Sequence, residues 1–175
     1  MKRLALNVSV ATTLAVVTLQ AQNPLSDDVK AAYQAAKINI LKAAEKMPES
    51  EYGFKPTPDV RTFGQLIAHV AETQMAMCGV AKGEPRRSDA VSKTSKSDLV
   101  AALKASNDFC DGVYNTIADA DGATIVKMFG REKPKLGVLN FNIAHDNETY
   151  GTVAVYLRLK GIVPPSSEGA AGRGR

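Results

Sequence analysis

The stretch NIAHDNETYGTVAVYLRLKGIVPPSS, residues 142–167, contains a clear helical pattern and an unusual row of polar side chains. The pattern ends at Gly161, a residue type that often closes a helix in the left-handed conformation, and two prolines follow shortly after. His145 and Thr149 lie one turn apart, so they share one face of this helix. Polar groups on an inward face are costly unless they are solvated, paired or metal-bound.

Three earlier segments repeat the three- and four-residue apolar spacing of amphipathic helices. They cover about 25–47, 62–82 and 95–117, and the helix of the opening stretch covers about 136–160. Four such helices, with no convincing run of strands, predict an all-α protein. The fold class that we expect is a four-helix bundle, with an irregular connection between helices three and four.

The ends of these helices carry recognisable signals. Ser26, followed by two aspartates, is a candidate cap of the first helix. Ser95 and Asp98 have the spacing of a capping box at the start of the third helix. The connection over 119–135 is glycine-rich and partly apolar, so it predicts either a short hairpin or an irregular excursion.

The first 21 residues have the layout of a secretory signal peptide. Lys2 and Arg3 form a basic start, a mostly apolar run follows, and Ala21 is a small residue suited to the position before a cut. The apolar run is too short to span a bilayer comfortably. We therefore expect export to the periplasm or the medium, with no membrane attachment after cleavage.

The rest of the chain is long enough for one domain with its own core. We predict that residues 22–168 form this domain and that residues 169–175 form a disordered tail. The net charge is +4, and the predicted leader contributes two of the positive charges. Arg86 and Arg87 form the one internal arginine doublet, which reads as a solvated loop. Nucleic acid is not expected as a partner, because phosphate binding requires clustered basic side chains.

The two cysteines fall on different predicted helices, Cys78 on the second and Cys110 on the third. An oxidising compartment would favour a disulfide between them. Such a bridge would close a loop of about thirty residues and stabilise the fold by about 3 kcal/mol. The alternative is a pair of buried free thiols that act as small apolar side chains. The sequence leaves both readings open, because it does not give the distance between the two residues.

His69 and His145 are the only histidines, and both lie mid-helix among apolar residues. Each shares its helix face with a glutamate and a threonine. These companions are Glu72 and Thr73 on the second helix, and Glu148 and Thr149 on the fourth. Histidines from two helices can hold a metal inside a bundle, with a carboxylate or water completing the shell. The alternative is an ordinary hydrogen-bonded polar network.

Three stretches give the chain a resemblance to the DinB-like (DinB/YfiT) superfamily of four-helix-bundle metalloenzymes. They are FKPTPDVRTFGQLIAHVAETQ, KTSKSDLVAALKASNDFCD and NIAHDNETYGTVAVYLRLKGIVPPSSE. In that family, three histidines typically hold a divalent metal such as zinc or nickel. The resemblance places the first two at His69 and His145, whereas the third falls on Thr149. A threonine hydroxyl is a poor ligand for these metals, so the implied site is weakened.

The resemblance implies a metal-dependent transferase or hydrolase that acts on a small molecule, such as a thiol. Glu148 would be a ligand or general base, and Thr149 would orient a bound water. Bundles of this type often pair, so a homodimer is a further expectation. The alternative function is an exported, non-catalytic helical bundle that binds a small molecule or a protein partner.

Overall fold

Four long helices form most of the molecule over residues 22–168, which the computed structural model describes. In chain order, the elements are α1 Pro24–Lys46, α2 Phe63–Lys82, α3 Lys96–Thr116, α4 Asp119–Gly122, β1 Ile125–Met128, β2 Arg131–Pro134 and α5 Lys135–Leu159. The four long helices agree with the sequence prediction. The predicted signal peptide, residues 1–21, and the predicted tail, residues 169–175, lie outside the described residues.

The four-helix bundle is confirmed by how the long helices pack. α2 packs against both α3 and α5, and α1 packs against the same two helices from the other side. α1 and α2 therefore lie on one diagonal, and α3 and α5 on the other. Within the described part of the chain, no helix combines the length and the apolar character needed to cross a bilayer.

A polar layer divides the bundle core into two apolar clusters. One cluster contains Met47, Phe63 and Leu103, and the other contains Tyr33 and Leu139. The buried polar side chains at the level between them are Gln74, Ser106, Asn107, Asn142, Asp146 and Thr149. Because buried polar groups need partners, this layer is where the bundle interior can carry chemistry.

The predicted cap at Ser95 and the predicted helix end at Gly161 are both present. Ser95 Oγ accepts the backbone N–H of Asp98 at 3.1 Å. Gly83 and Gly161 close their helices with φ angles of 79° and 72°, in the left-handed region that glycine tolerates.

The predicted cap of α1 is wrong. Asn23 precedes the helix, Pro24 occupies its first turn, and Ser26 is buried inside it. The Ser26 N–H and hydroxyl both donate to Asp119 Oδ1 at 2.7 Å, and the Leu25 N–H donates to Asp119 Oδ2 at 3.2 Å. An aspartate from α4 therefore satisfies the first turn of α1.

The connection between α3 and α5 contains the hairpin that the sequence left as one alternative. β1 and β2 pair antiparallel, with Ile125 opposite Pro134 and Met128 opposite Arg131. The turn between them is Phe129–Gly130, with φ angles of 51° and 76°. Two successive left-handed residues suit the twist of a tight hairpin, although phenylalanine is an unusual choice for the first of them.

Cys78 and Cys110 form a disulfide, so the bridged reading is the correct one. Their Cα atoms are 5.4 Å apart, within the range that a disulfide requires. The bridge joins α2 to α3, the neighbour against which α2 packs, and it is fully buried.

Candidate functional site

His69 on α2 and His145 on α5 face each other at the level of the polar layer. Their Nε2 atoms are 3.0 Å apart, and the ring centroids are 4.8 Å apart. The two residues are 76 positions apart in sequence and meet because α2 and α5 pack directly. Across this contact one ring donates and the other accepts, so at least one imidazole is neutral.

The neighbours of the second ring nitrogen, Nδ1, determine how the His145 imidazole is oriented. The Thr73 hydroxyl donates to the backbone oxygen of His69 at 2.7 Å, which leaves its own oxygen to accept. That oxygen lies 3.4 Å from His145 Nδ1, and Asp146 Oδ1 lies 3.9 Å from the same nitrogen. Since both neighbours are acceptors, we assign the proton of neutral His145 to Nδ1. The Nε2 lone pair then points towards His69.

Burial lowers the pKa of His69, and the positive charge of Arg61 and the neighbouring His145 imidazole act in the same direction. Glu72 and Glu148 oppose the shift, which places both carboxylates in the electrostatic environment of the pair. A lowered pKa keeps His69 neutral at pH 7. A neutral imidazole can accept a proton or donate a lone pair to a metal.

Asp146 is fully buried beside the histidine pair. Its Oδ2 accepts from Gln74 Nε2 at 2.8 Å and from Asn142 Nδ2 at 3.2 Å. Burial raises the pKa of the Asp146 carboxyl. Asp146 Oδ1 has no hydrogen-bond partner among the described residues. The unpaired oxygen lies on the side of His145 Nδ1, the position of an outer carboxylate in many histidine sites.

The sequence did not single out Asp146 or Gln74. Asp146 follows His145 directly, and a step of about 100° around the helix turns it away from the shared face. Its importance comes from Gln74, which the spacing places on the inward stripe of α2 but which meets Asp146 only across the interface with α5. The adjacent histidine and aspartate in the sequence were the available signal.

Glu148 and Thr149 occupy different surroundings although they are adjacent. Glu148 is exposed, whereas Thr149 is buried with 6% of its surface accessible. Over residues 22–168, no three His, Cys, Asp or Glu side chains are placed to share one metal ion. The structure therefore brings His69 and His145 together, but it does not bring Glu148 or Glu72 into a three-donor group with them.

The two imidazoles fit part of a metal shell. Two nitrogens bound at about 2.0–2.1 Å to one ion in a tetrahedral shell lie about 3.3 Å apart, slightly more than the 3.0 Å between the two Nε2 atoms. Thr149 supplies a neutral hydroxyl, which is not a usual donor to zinc or nickel. The described residues thus offer two strong donors, with the remaining positions left to other groups.

Two clefts open beside this site, and both are lined by Glu72. The first, which we call the basic cleft, has a volume of about 290 Å³. Its walls include Arg61, Gln65, His69, Glu72 and Lys93. The second, which we call the apolar cleft, has a volume of about 340 Å³ and includes Thr73, Ala76, Met77 and Val80. His69 is therefore reachable from solvent through the basic cleft.

Residues 32–153 match the sequence model of the DinB superfamily. The chain belongs to the DinB superfamily. This agrees with the resemblance seen in the sequence, and the matched span contains both histidines and both cysteines. No functionally curated protein matches this DinB-superfamily chain in sequence.

Solved structures share the same fold at low sequence identity. A DinB-like protein from Bacillus cereus is 20% identical with a TM-score of 0.69, and the alignment covers 79% of this chain and 95% of that one. A DinB-like protein from Bacillus subtilis is 18% identical with a TM-score of 0.64, covering 77% and 92%. The mycothiol-dependent maleylpyruvate isomerase is 15% identical with a TM-score of 0.63, covering 73% and 60%. One neighbour in fold is therefore an enzyme.

Proposed function

We propose that this DinB-superfamily protein is exported and binds a divalent metal ion, such as zinc or nickel, through His69 and His145. We further propose that it acts as a transferase or hydrolase on a small molecule. The observation that carries the proposal is the 3.0 Å separation of the two Nε2 atoms beside an open cleft. Bound there, the ion would supply Lewis acidity and lower the pKa of a nucleophile.

The surrounding residues have separate roles in this proposal. Thr73, with the Asp146 carboxyl nearby, favours the proton of His145 on Nδ1, so that the Nε2 lone pair, which faces His69, would be available to a metal. Gln74 holds Asp146 in place. Glu148, exposed and acting electrostatically on His69, is the proposed general base. Thr149 is one turn from His145, and its hydroxyl would orient a water or a substrate group.

A thiol is the substrate class that we favour. A neighbour in fold that is a mycothiol-dependent isomerase supports it, because mycothiol is a thiol. Arg61 in the basic cleft would suit the negative groups of a thiol cofactor, whereas Lys93 there is already paired with Asp89 at 2.8 Å. Export is supported by the leader-like first 21 residues.

Metal binding by the folded, metal-stripped protein tests the proposal directly. Titration calorimetry with Zn²⁺ or Ni²⁺ should show one weak site that is lost in His69→Ala and in His145→Ala. Thr149→His should raise the affinity at least about tenfold, because it restores a third imidazole. Thr152→His is the matched control, since it adds a histidine to the same helix at an exposed position.

Failure to bind either metal in both the wild-type protein and Thr149→His would overturn the metal proposal. A second candidate function would then stand, a non-catalytic bundle that binds a small molecule or a protein partner. The observation that favours it is the lack of a third metal donor around the histidines in residues 22–168. In that case a chelator should leave the melting temperature unchanged.

A further inference from the structure

We infer that the apolar cleft is a binding site for a small organic anion with a flat aromatic body. Arg87 would hold the anionic group, and Phe129 would cover the aromatic body. The cleft volume of about 340 Å³ is of the size that encloses small molecules. The inference goes beyond the proposed function, because binding of this ligand requires neither of the two histidines nor a metal ion.

The floor of the cleft is formed by one face of α2. Val80 lies three residues after Met77 and four after Ala76, so both meet it one turn along the helix and the three side chains line the floor. Pro85 adds a further apolar surface from the loop that follows the helix. A flat apolar body would therefore displace water from apolar surface on binding, which is favourable.

Arg86 and Arg87 both line the cleft, but they differ in their existing contacts. The Arg86 guanidinium lies 3.5 Å from Glu84 and 4.9 Å from the centre of the Phe109 ring. No carboxylate of residues 22–168 lies within ion-pair distance of Arg87. Arg87 is thus the cation available to a ligand, and an arginine fork suits a carboxylate in particular.

Close backbone packing fixes the loop that carries the two arginines. A Cβ added at Gly79 would lie 2.8 Å from the backbone nitrogen of Arg86 and 2.8 Å from the backbone oxygen of Glu84. The Glu84 N–H also donates to the Gly79 oxygen at 2.9 Å. The loop is therefore held against α2, and Arg87 is presented from a defined position.

Phe129 at the hairpin tip is the second, independent observation. Its φ angle of 51° lies in the left-handed region, which is costly for a large side chain. Its side chain is 78% exposed, touches Phe141 edge to face and lines the cleft. Asparagine would suit this turn better. An exposed aromatic ring on a residue in an unfavourable backbone conformation points to a binding role rather than to packing.

Nuclear magnetic resonance titration of the ¹⁵N-labelled folded protein tests this inference. The probes are 2-naphthoate and the neutral 2-naphthalenemethanol, which share a ring system and differ in charge. We expect naphthoate to bind more tightly than the alcohol and to shift the amide signals of Ala76, Val80 and Phe129. Arg87→Gln should weaken naphthoate binding about tenfold, as expected for the loss of a charge-assisted contact.

Three further variants distinguish binding in the apolar cleft from non-specific binding and from loss of structure. Arg86→Gln, the matched control, should change the naphthoate affinity less than about twofold, because Arg86 already has partners. Phe129→Asn should weaken binding while raising the melting temperature, a combination that loss of structure cannot produce. His69→Ala should bind naphthoate as the wild-type protein does, whatever the outcome of the metal titration.

Equal affinities for naphthoate and the alcohol would overturn the inference. So would equal effects of Arg86→Gln and Arg87→Gln, or amide shifts confined to residues outside the cleft.

Discussion

At the scale of single residues, the histidine pair depends on acceptors that come from two helices. Thr73 belongs to α2 and Asp146 to α5, and both lie on the Nδ1 side of His145. Their joint effect is to select one tautomer, and the tautomer decides whether Nε2 can bind a metal. Thr73, which the sequence places only on the same helix face as His69, is thus part of the site.

Thr73→Val should lower the metal affinity about tenfold, the size of effect typical for loss of an outer-shell partner. Valine keeps the shape of threonine but cannot accept a hydrogen bond from His145 Nδ1–H. The measurements are titration calorimetry and the ¹⁵N shifts of the imidazole, which distinguish the tautomers. Thr116→Val is the matched control, because the Thr116 hydroxyl likewise donates to a carbonyl of its own helix but faces no histidine. Equal metal affinity in the wild-type protein and Thr73→Val would contradict the assigned role.

The sequence could predict which polar side chains share a helix face but not which of them contact one another in the folded protein. The spacing of His145, Glu148 and Thr149 follows from helix geometry alone. The contact between His145 and His69 depends on which helices are neighbours, and only the family resemblance suggested that. The Asp146 environment is set by Gln74 across the helix interface, so it cannot be read from α5 by itself.

At the scale of the helices and their ends, α1 depends on a residue far along the chain. Asp119 in α4 accepts the Leu25 and Ser26 N–H groups and the Ser26 hydroxyl. Burial alone would raise the pKa of Asp119, but the donors of Ser26 and Leu25 outweigh it and lower the pKa. The carboxylate therefore stabilises the start of the helix in its charged form.

Asp119→Ala should lower the melting temperature at pH 7 and have little effect in strong acid. The folded-state pKa is lower than the unfolded value of about 3.9, so the stabilisation is complete above that value. It is lost as the pH falls through the folded-state pKa. Thermal denaturation between pH 2 and pH 7 measures the difference from the wild-type protein. Asp121→Ala is the control, because Asp121 lies in the same short helix but accepts from Lys135 and Thr124 instead of from α1. A difference that does not depend on pH would rule out the charged contact as its cause.

Helix positions were predictable to within about two residues because apolar spacing and end signals are local. Ser26 was assigned wrongly because a distant aspartate replaces the local cap, and no local pattern shows that. The hairpin was only one of two alternatives, because its strands are short and its turn has phenylalanine where asparagine is typical.

At the scale of the whole molecule, the disulfide links the two helices that carry the apolar cleft and its support. α2 holds the cleft floor, and Phe109 of α3 lies under Arg86. The sequence could place Cys78 and Cys110 on separate helices, but the distance that permits a bridge came from the packing of α2 on α3. Export, the homodimer and the exclusion of nucleic acid stay predictions.

Replacing both cysteines with alanine should lower the free energy of unfolding by about 3–4 kcal/mol, the value expected for closing a loop of this length. The bridge spans 32 positions and is fully buried. Guanidinium denaturation of the wild-type protein, with and without reductant, measures the effect beside the double variant. Reductant should move the midpoint of the wild-type protein and leave that of the variant unchanged. An unchanged wild-type midpoint under reducing conditions would show that the bridge contributes nothing.

The separation of the two histidines along the chain has a consequence for how the protein acquires its site. A pair 76 positions apart cannot form by local helix growth, because a long loop must first be closed. The two imidazoles therefore come into contact only after α5 has packed against α2, and the formation of the separate helices is not sufficient. A fragment ending before α5 would keep His69 and lose the pair. A protein that is similar only to the first half of this chain therefore need not share the chemistry of the histidine pair.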